Sequence, residues 1–144
     1  KESAKKLAKN VFTIEEFFKK EITSGKIHSE QFSDIAKTIK IHGHCHQKSL
    51  STIEATFAML NVPKNSVVTI YNSGCCGMAG SFGYEKEHYE ISMQMGEDTL
   101  FPKIRASDTT TAIAAAGTSC RHQIFDGTNR KAMHPVSILR DCLK

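Results

Sequence analysis

Residues 72–90 read NSGCCGMAGSFGYEKEHYE, and this stretch places two adjacent cysteines, Cys75 and Cys76, between two different sequence patterns. The apolar run from Val67 to Tyr71 that precedes it is typical of a buried strand, and the residues that follow it have helical periodicity. The paired thiols are therefore predicted at a strand-to-helix turn. Adjacent cysteines form a strained disulfide with each other, whereas both thiolates can bind one metal ion or cluster. The pattern favours a ligand pair.

Two further segments repeat this arrangement. The run from Lys40 to Gly43 leads into GHCHQKSL, which contains Cys45, and the run from Thr111 to Ala116 leads into GTSCRHQI, which contains Cys120. Right-handed crossovers make such strands parallel, so that all three turns lie along the carboxyl edge of one sheet, where open α/β sheets bind ligands. The sequence thus predicts an α/β fold of the three-layer, Rossmann-like kind, with a short parallel sheet, helices on both faces and four cysteines at one edge.

Sequence patterns also predict where the other elements lie. The capping-box pattern at Thr13 begins a helix that ends at Ser24-Gly25, and strands are expected at Ile39 to His42, Ser66 to Tyr71 and Thr111 to Ala116. Ser49 or Ser51 is expected to cap a helix whose apolar face is Leu50, Ile53, Phe57 and Leu60. A helix beginning near Tyr84 would bury Tyr84, His88, Ile91 and Met95. Two more helices are predicted from Ser119 to Phe125 and from His134-Pro135 to Leu139.

Length and composition narrow the function classes. The 144 residues suffice for one compact domain, in which residues 1–38 form a lead-in helix and loop and residues 39–144 the cysteine-rich part. The net charge of +4 comes from scattered lysines before residue 49, a pattern that argues against nucleic-acid binding. No apolar run could span a bilayer, although peripheral membrane contact stays compatible. Five cysteines, an odd number, favour a reducing, cytoplasmic location, and Lys1 at the start indicates a piece of a longer protein.

The glycines of the cysteine turn form a second candidate binding element. Gly74, Gly77 and Gly80 recur at every third position and would let the backbone approach a bulky cofactor. Neither the G-x-G-x-x-G fingerprint nor a Walker loop is present, which argues against nucleotide binding. The structural alternative is a tight turn that holds two buried, inert thiols.

Several histidines lie near the cysteines and are candidate ligands. His44 and His46 flank Cys45, and His122 follows Cys120 by two residues, while Cys142 lies outside all three turns. Each histidine could instead orient a thiolate through a hydrogen bond, and the geometry of the turns decides between these roles. A cysteine–histidine nucleophile is a rival use of the same residues, but it needs only one activated thiol.

These motifs resemble the cysteine-rich CCG domain shared by heterodisulfide reductase subunits, glycolate oxidase iron–sulfur subunits and anaerobic glycerol-3-phosphate dehydrogenase subunits. The likeness covers about residues 40–140 and is greatest to the C-terminal segment of FAD-linked oxidases that carry an iron–sulfur part in the same chain. It rests on HGHCHQKSL, GCCGMAGSFGYEKEHYEIS, GTSCRHQI and HPVSIL. In that family a Cys, a Cys-Cys pair and a Cys-x-x-Cys bind an iron–sulfur cluster, non-cubane in some members. This chain has Gln123 where the last cysteine would stand.

The resemblance implies a C-terminal electron-transfer module of an FAD-linked oxidoreductase that oxidises a small 2-hydroxy acid such as glycolate, lactate or 2-hydroxyglutarate. Its implied metal ligands are Cys45, Cys75, Cys76 and Cys120, with His44, His46 and His122 as candidates beside them. The missing fifth thiolate leaves open a four-thiolate cluster of the 4Fe-4S type, a histidine-assisted site or a different metal. FAD would bind elsewhere in the full-length protein, and the flavoprotein portion would be the partner. A zinc-binding docking domain and a metal-free thiol redox enzyme are the alternatives.

Overall fold

A four-stranded parallel sheet forms the centre of the chain. The computed structural model describes residues 1–144, and its strands are β1 (Lys37–His42), β2 (Ser66–Ile70), β3 (Ala112–Ala115) and β4 (Ala132–Met133). They lie in the order β2-β1-β3-β4, with Ile39 opposite both Val68 and Ala112. The predicted α/β class and parallel strands are confirmed. Strand β4 was not predicted, because two residues are too few to form a periodic pattern.

Seven helices surround the sheet. They are α1 (Glu2–Ala8), α2 (Ile14–Thr23), α3 (Cys45–Leu50), α4 (Glu54–Leu60), α5 (Tyr89–Arg105), α6 (Thr118–Thr128) and α7 (Pro135–Arg140). The predicted capping box of α2 is present, since the Glu16 amide donates to the Thr13 hydroxyl and the Glu16 carboxylate accepts from the Thr13 amide. None of these helices combines the length and the apolar composition needed to cross a bilayer.

Two apolar clusters pack against the sheet through alternate residues of its strands. In β3, Ile113 and Ala115 belong to a cluster with residues of α5 and α6, whereas Ala114 belongs to a cluster with residues of α4 and α7. Because successive side chains of a strand point to opposite faces, the two clusters lie on opposite faces of the sheet. Fully buried members of these clusters include Ile39, Ile41, Met59, Leu100, Ile104, Ile124 and Ile138.

From α2 onward the predicted lead-in packs against this core, whereas α1 has no buried residue. Helix α2 contacts α4, and Phe18, Ile22 and Phe32 contribute to the cluster on the α4 side. Phe32 is only 3% exposed and forms an isolated bridge with Leu143 near the end of the chain. The predicted boundary at residue 38 falls inside β1, which begins at Lys37.

The segment after β1 differs from its prediction. It forms two helices, α3 and α4, with a break at residues 51–53, and neither Ser49 nor Ser51 caps α4. The Ser51 hydroxyl instead donates to Glu16, and the Ser49 hydroxyl donates to the His46 carbonyl. Leu50, predicted on the buried face of one continuous helix, is 76% exposed. It is the last residue of α3, and the buried residues of α4 belong to a separate helix that begins at Glu54.

Helix α5 also differs, in both its start and its buried face. Two short 3-10 turns, Phe82–Tyr84 and Lys86–His88, precede it, so it begins at Tyr89 and not near Tyr84. Tyr84, Ile91 and Met95 of the predicted inner face are exposed. The buried positions are Ser92, Gly96, Leu100, Phe101 and Ile104. The prediction was wrong because two of the buried positions hold small residues, which an apolar pattern does not count.

A candidate metal site at the carboxyl edge of the sheet

The order of the strands creates a crevice at the carboxyl ends of β1 and β3. Strand β2 lies on one side of β1 and β3 on the other, so the chain turns in opposite directions after β1 and β3. Ligands of open α/β sheets bind at such a switch point. Cys45 begins α3 directly after β1, Cys120 lies in the first turn of α6 after β3, and the Cys75-Cys76 pair follows β2.

The four cysteines meet there as the topology requires. The Sγ atoms of Cys45 and Cys75 are 3.8 Å apart, and those of Cys76 and Cys120 are 3.3 Å apart. All four line one cavity of about 420 Å³, together with His44, His46, Ser49, Ala79, Gly80 and Ser119. All are free thiols. Cys142 lies elsewhere: it is buried in the cluster on the α7 side, and its Sγ donates to the Ile138 carbonyl.

Cys76 and Cys120 belong to a group that we call the inner set, with His42 as its third member. Their exposed fractions are 3%, 1% and 1%, and their sulfur and ring-nitrogen atoms lie within 4.8 Å of one another. His42 Nδ1 is 3.1 Å from the Ser73 hydroxyl, whereas His42 Nε2 has no hydrogen-bond partner. Three donor atoms of the kinds that bind zinc and iron are thus packed together away from water.

Cys45 and Cys75, which we call the outer pair, face solvent. Cys45 is exposed and Cys75 is half-buried, and the Gly77 amide donates to Cys75 Sγ at 3.3 Å. The rings of His44 and His46 are stacked with centroids 6.2 Å apart, and His44 Nδ1 is 3.3 Å from Cys120 Sγ. His44 therefore contacts the inner set, in a position to orient the Cys120 thiolate.

The electrostatics of the four thiols differ. The hydrogen bond with Cys120 lowers the pKa of Cys76 to about 4, burial opposes this shift, and the neighbouring His42 side chain adds to it. The same hydrogen bond, together with burial, raises the pKa of Cys120, so the negative charge of the pair is favoured on Cys76. Burial, with the nearby Cys75, raises the pKa of Cys45. Burial also lowers the pKa of His44, so that its imidazole is neutral at pH 7.

The glycine-rich loop is held against α5. Gly77 has a φ of +95°, and a Cβ at this position would lie 2.1 Å from the Ser92 carbonyl oxygen. The Ser92 hydroxyl donates to the Gly77 carbonyl at 3.0 Å and accepts from the side-chain amide of Gln123 at 2.8 Å. These contacts fix the backbone beside Cys76, and they occupy Gln123 in a structural role.

Of the three glycines predicted to contact a cofactor, only Gly80 lines the cavity. The Gly74 amide donates to the Thr99 hydroxyl of α5, and Gly77 packs on Ser92 of the same helix. For these two residues, the absence of a side chain allows close packing of loop on helix. The spacing of the glycines indicates that another group approaches the backbone closely, but it does not indicate whether that group is a helix or a cofactor.

The histidines also separate into different positions. His44 and His46 line the cavity, but His122 does not: its Nδ1 is 2.8 Å from the Tyr84 hydroxyl, and it lines another cavity with Arg121, Phe125, Asp126 and Lys131. The reason is helical geometry, because two residues after the buried Cys120 the side chain points about 200° around α6. Sequence reasoning did not select His42. The available signal was its position as the last residue of β1, the strand that leads into the turn with Cys45.

The donor set fits a thiolate-bound metal. Four sulfur donors and one buried imidazole nitrogen without a partner converge from three separate turns. A buried polar atom without a hydrogen bond is costly, and ligation would satisfy it. Zinc and iron–sulfur clusters both take these donors. Cys45, Cys75, Cys76 and Cys120 would hold the group, with His42 and His44 beside them.

Comparison with known proteins gives relatives among dehydrogenases. The chain is 30% identical over 102 residues to one subunit of the anaerobic glycerol-3-phosphate dehydrogenase of Escherichia coli strain K12, a match that covers 71% of this chain and 25% of that protein. It is 30% identical over 149 residues to the D-2-hydroxyglutarate dehydrogenase of Haemophilus influenzae, covering 94% of this chain and 14% of the relative. The corresponding enzyme of Pseudomonas putida is 30% identical over 115 residues, which are 76% of this chain and 11% of that enzyme.

The chain thus spans a quarter or less of the length of these relatives. No family model and no solved structure matches it. The chain is related to a part of several oxidoreductases, and the substrates in their names belong to the whole enzymes.

Proposed function

We propose that this chain is the iron–sulfur or thiol electron-transfer module of an FAD-linked oxidoreductase that oxidises a small 2-hydroxy acid. The observation that carries the proposal is the convergence of four cysteine sulfur atoms from three strand-end turns at one cavity. A lone catalytic thiol would not need the other three. In this reading the fold is a Rossmann-like, three-layer CCG domain, as the packing of helices against both faces of the sheet suggests.

The chain's own residues would hold and shield the redox group. Cys76 and Cys120 would anchor it from the buried side, and Cys45 and Cys75 would close it on the solvent side. An iron–sulfur cluster bound by these thiolates would supply one-electron transfer between the flavin and an acceptor. The exposed outer pair leaves a short path from the site to the surface, where a flavoprotein partner could dock.

The contacts of the site argue for a relay and against a substrate pocket. No lysine or arginine lines the cavity, although the charge of Lys48, outside the lining, acts on Cys45. Arg121, next to Cys120, donates to the carbonyl oxygens of Ala115 and Ala116 at 3.0 and 2.7 Å, and so it is engaged by the backbone at the end of β3. A carboxylate substrate would lack the cationic partner that such substrates usually find. We therefore propose that the flavin, in the part of the enzyme outside this chain, oxidises the 2-hydroxy acid. The proposed location of the enzyme is the cytoplasm.

A zinc-binding docking domain is the second candidate, and the sulfur separation within each cysteine pair is compatible with it. Zinc–thiolate bonds of about 2.3 Å in a tetrahedron place neighbouring sulfur atoms about 3.8 Å apart. The separations within the two cysteine pairs, 3.3 and 3.8 Å, are close to this value. Each pair could therefore provide two of the four ligands of one ion, and a zinc site would stabilise the domain without redox chemistry.

Metal content after anaerobic preparation separates these functions. Iron and sulfide with visible charge-transfer absorption are expected after reconstitution, and each change of Cys45, Cys75, Cys76 or Cys120 to Ser should reduce them. Zinc alone would favour the docking domain. The matched control is Cys142→Ser, because Cys142 is buried away from the cavity. A chain that binds neither metal, with one hyper-reactive thiol, would support a metal-free thiol enzyme.

The second arm of the test asks whether the chain oxidises a substrate by itself. Lactate, glycolate and 2-hydroxyglutarate are offered with an artificial dye acceptor, and no turnover is expected because the sequence has no dinucleotide-binding fingerprint to hold a flavin. Turnover that persists after removal of trace flavin and depends on a cysteine would refute the relay.

A further inference from the structure

His42 is buried in a way that hydrogen bonding within the chain does not explain. Its side chain is 1% exposed, and its Nε2 atom is one of only two buried side-chain polar atoms without a hydrogen-bond partner. A buried nitrogen without a hydrogen-bond partner costs free energy. A ring nitrogen of His42 lies within 4.8 Å of the Cys76 and Cys120 sulfur atoms. A ligand bound among these three residues would remove that cost.

The second ring nitrogen of His42 is already engaged. Nδ1 lies 3.1 Å from the Ser73 hydroxyl, in the loop that follows β2. When Nδ1–H donates to this oxygen, Nε2 keeps its lone pair and remains the nitrogen available to a metal. Metal-binding histidines are commonly held in this way, with the other ring nitrogen donating to a fixed acceptor. Ser73 therefore fixes both the tautomer and the orientation of the ring.

Neighbouring candidates for a non-sulfur ligand are less suited. Gln123, also 1% exposed, is occupied by its hydrogen bond to Ser92. His44 contacts Cys120 Sγ through Nδ1 at 3.3 Å, but it is only half-buried and so has water available as a partner. His46 is exposed and stacks on His44. Among these residues, only His42 combines complete burial with a nitrogen that lacks a partner.

We infer that His42 is a metal ligand through Nε2, beside Cys76 and Cys120, with Ser73 as its positioning residue. The inference rests on the proposed function, because it concerns the metal held by the same cysteines. It predicts a mixed nitrogen and sulfur donor set, where four cysteines alone would give sulfur only. Imidazole and thiolate together suit zinc and iron.

The test uses the 144-residue chain, labelled with ¹⁵N-histidine, reduced, freed of metal and then loaded with Zn²⁺ alone. Long-range ¹H–¹⁵N spectra identify the tautomer of each histidine and whether a ring nitrogen has stopped titrating between about pH 5 and 8, the range in which a free histidine changes charge. X-ray absorption at the zinc edge reports imidazole scattering without any substitution, so the result does not depend on a variant that folds. We expect one zinc-bound imidazole, bound through Nε2.

Three histidine variants assign that imidazole. His42→Gln should remove the zinc-bound nitrogen signal, whereas His44→Gln and His46→Gln should retain it. Ser73→Ala keeps every ligand but should weaken zinc binding by about 10–100-fold, the usual effect of removing a partner of a ligating histidine. Ser66→Ala is the matched control, because it removes a hydroxyl without a hydrogen-bond partner at the amino end of β2, outside the cavity, and should leave affinity unchanged. Amide dispersion in the ¹H–¹⁵N spectrum checks that each variant is folded.

Two outcomes would overturn the inference while leaving the proposed function standing. One is zinc bound with sulfur scattering only. The other is an imidazole signal lost in His44→Gln or His46→Gln and kept in His42→Gln. A chain that binds neither zinc nor iron would overturn both, and it would be recognised by the absence of any metal in the unsubstituted protein.

Discussion

The inner set and the outer pair place the same thiol chemistry in two different environments. Cys76 and Cys120 belong to the apolar cluster packed against α5 and α6, and almost none of their surface is exposed. Cys45 is exposed at the first residue of α3, and Cys75 lies half-buried in the loop after β2. All four line the same cavity, so the difference comes from depth within it. Depth assigns the roles: the inner residues would retain a metal, and the outer ones would expose it to a partner.

The largest expected difference between the two groups is in metal affinity. Changing Cys120 to Ser removes a sulfur donor that water cannot easily replace, so zinc affinity should fall by more than roughly 100-fold, beyond the loss typical of a supporting residue. For Cys45→Ser we expect a fall of about tenfold, since solvent can fill the vacated position. Competition with a chromophoric chelator measures both. Equal losses of zinc affinity in the two variants would show that the depth of a cysteine in the cavity does not determine how strongly it retains the metal.

The next largest effect concerns the loop that positions Cys76. In Gly77→Ala the new Cβ would lie 2.1 Å from the Ser92 carbonyl oxygen at a φ of +95°, so the loop must separate from α5. We expect a loss of about 2–4 kcal/mol in the free energy of unfolding, measured by urea denaturation of the metal-free chain.

Gly80→Ala is the matched control for this change. Gly80 has a φ of +75°, and a Cβ added there would have no atom within 4 Å, so only the backbone penalty of about 1 kcal/mol applies. If the two variants lose equal stability, contact between the loop and α5 is not what holds the inner set.

Thiol reactivity should show the same contrast more weakly. In the reduced, metal-free chain, iodoacetamide should modify Cys45 and Cys75 at least about tenfold faster than Cys76 and Cys120, whose modification requires local opening. The low pKa of Cys76, about 4, does not help the reagent, because the thiolate is buried. Partial desolvation of the Cys45 sulfur and the nearby Cys75 raise the pKa of Cys45 above the ordinary value of 9.0. The rate at which iodoacetamide modifies Cys45 should therefore still increase with pH at pH 9. Peptide mass spectrometry over time and pH gives the four rates.

Sequence patterns were sufficient to predict the convergence of the cysteines but not their depth. Three apolar runs, each followed by a cysteine, predicted parallel strands and a shared edge, and topology then required Cys45, Cys76 and Cys120 to meet. Depth depends on which face of the sheet is covered by α5, and the buried face of that helix includes Ser92 and Gly96. Such small residues leave no apolar period to detect.

The histidines show the same limit. His42 lies at the end of β1 and becomes part of the inner set only because α5 and α6 cover that face, which is a tertiary event. His122 was predicted beside the cysteines from its spacing to Cys120, yet α6 directs it to Tyr84. In both cases the distance along the chain was a poor guide, because the helix or strand that carries a side chain determines its direction.

The smallest expected effect lies at the far end of α3, which carries Cys45 of the outer pair. The Glu16 carboxylate accepts from the Ser51 hydroxyl at 2.6 Å and from the Thr13 amide at 2.8 Å, and so it joins α2 to the residue that follows α3. These hydrogen bonds, the one from Ser51 foremost, lower the pKa of Glu16 below its ordinary value. The pKa of Glu16 is therefore lower in the folded chain than in the unfolded chain. The stabilisation of the fold by the Glu16 carboxylate is complete above the unfolded-state pKa and is lost as the pH falls through the folded-state pKa.

Glu16→Gln should therefore cost about 1 kcal/mol or less at pH 7, because it removes the charge of a solvent-screened capping residue while keeping its shape. At a pH below the folded pKa of Glu16 the difference between the variant and the parent chain should shrink, since the parent carboxylate is then protonated as well. Urea denaturation at several pH values measures this, and Ser51→Ala removes the hydrogen bond from the other side. A difference that is constant with pH would mean that the charge of Glu16 contributes nothing. The support of α3, and with it the position of Cys45, would then depend on packing alone.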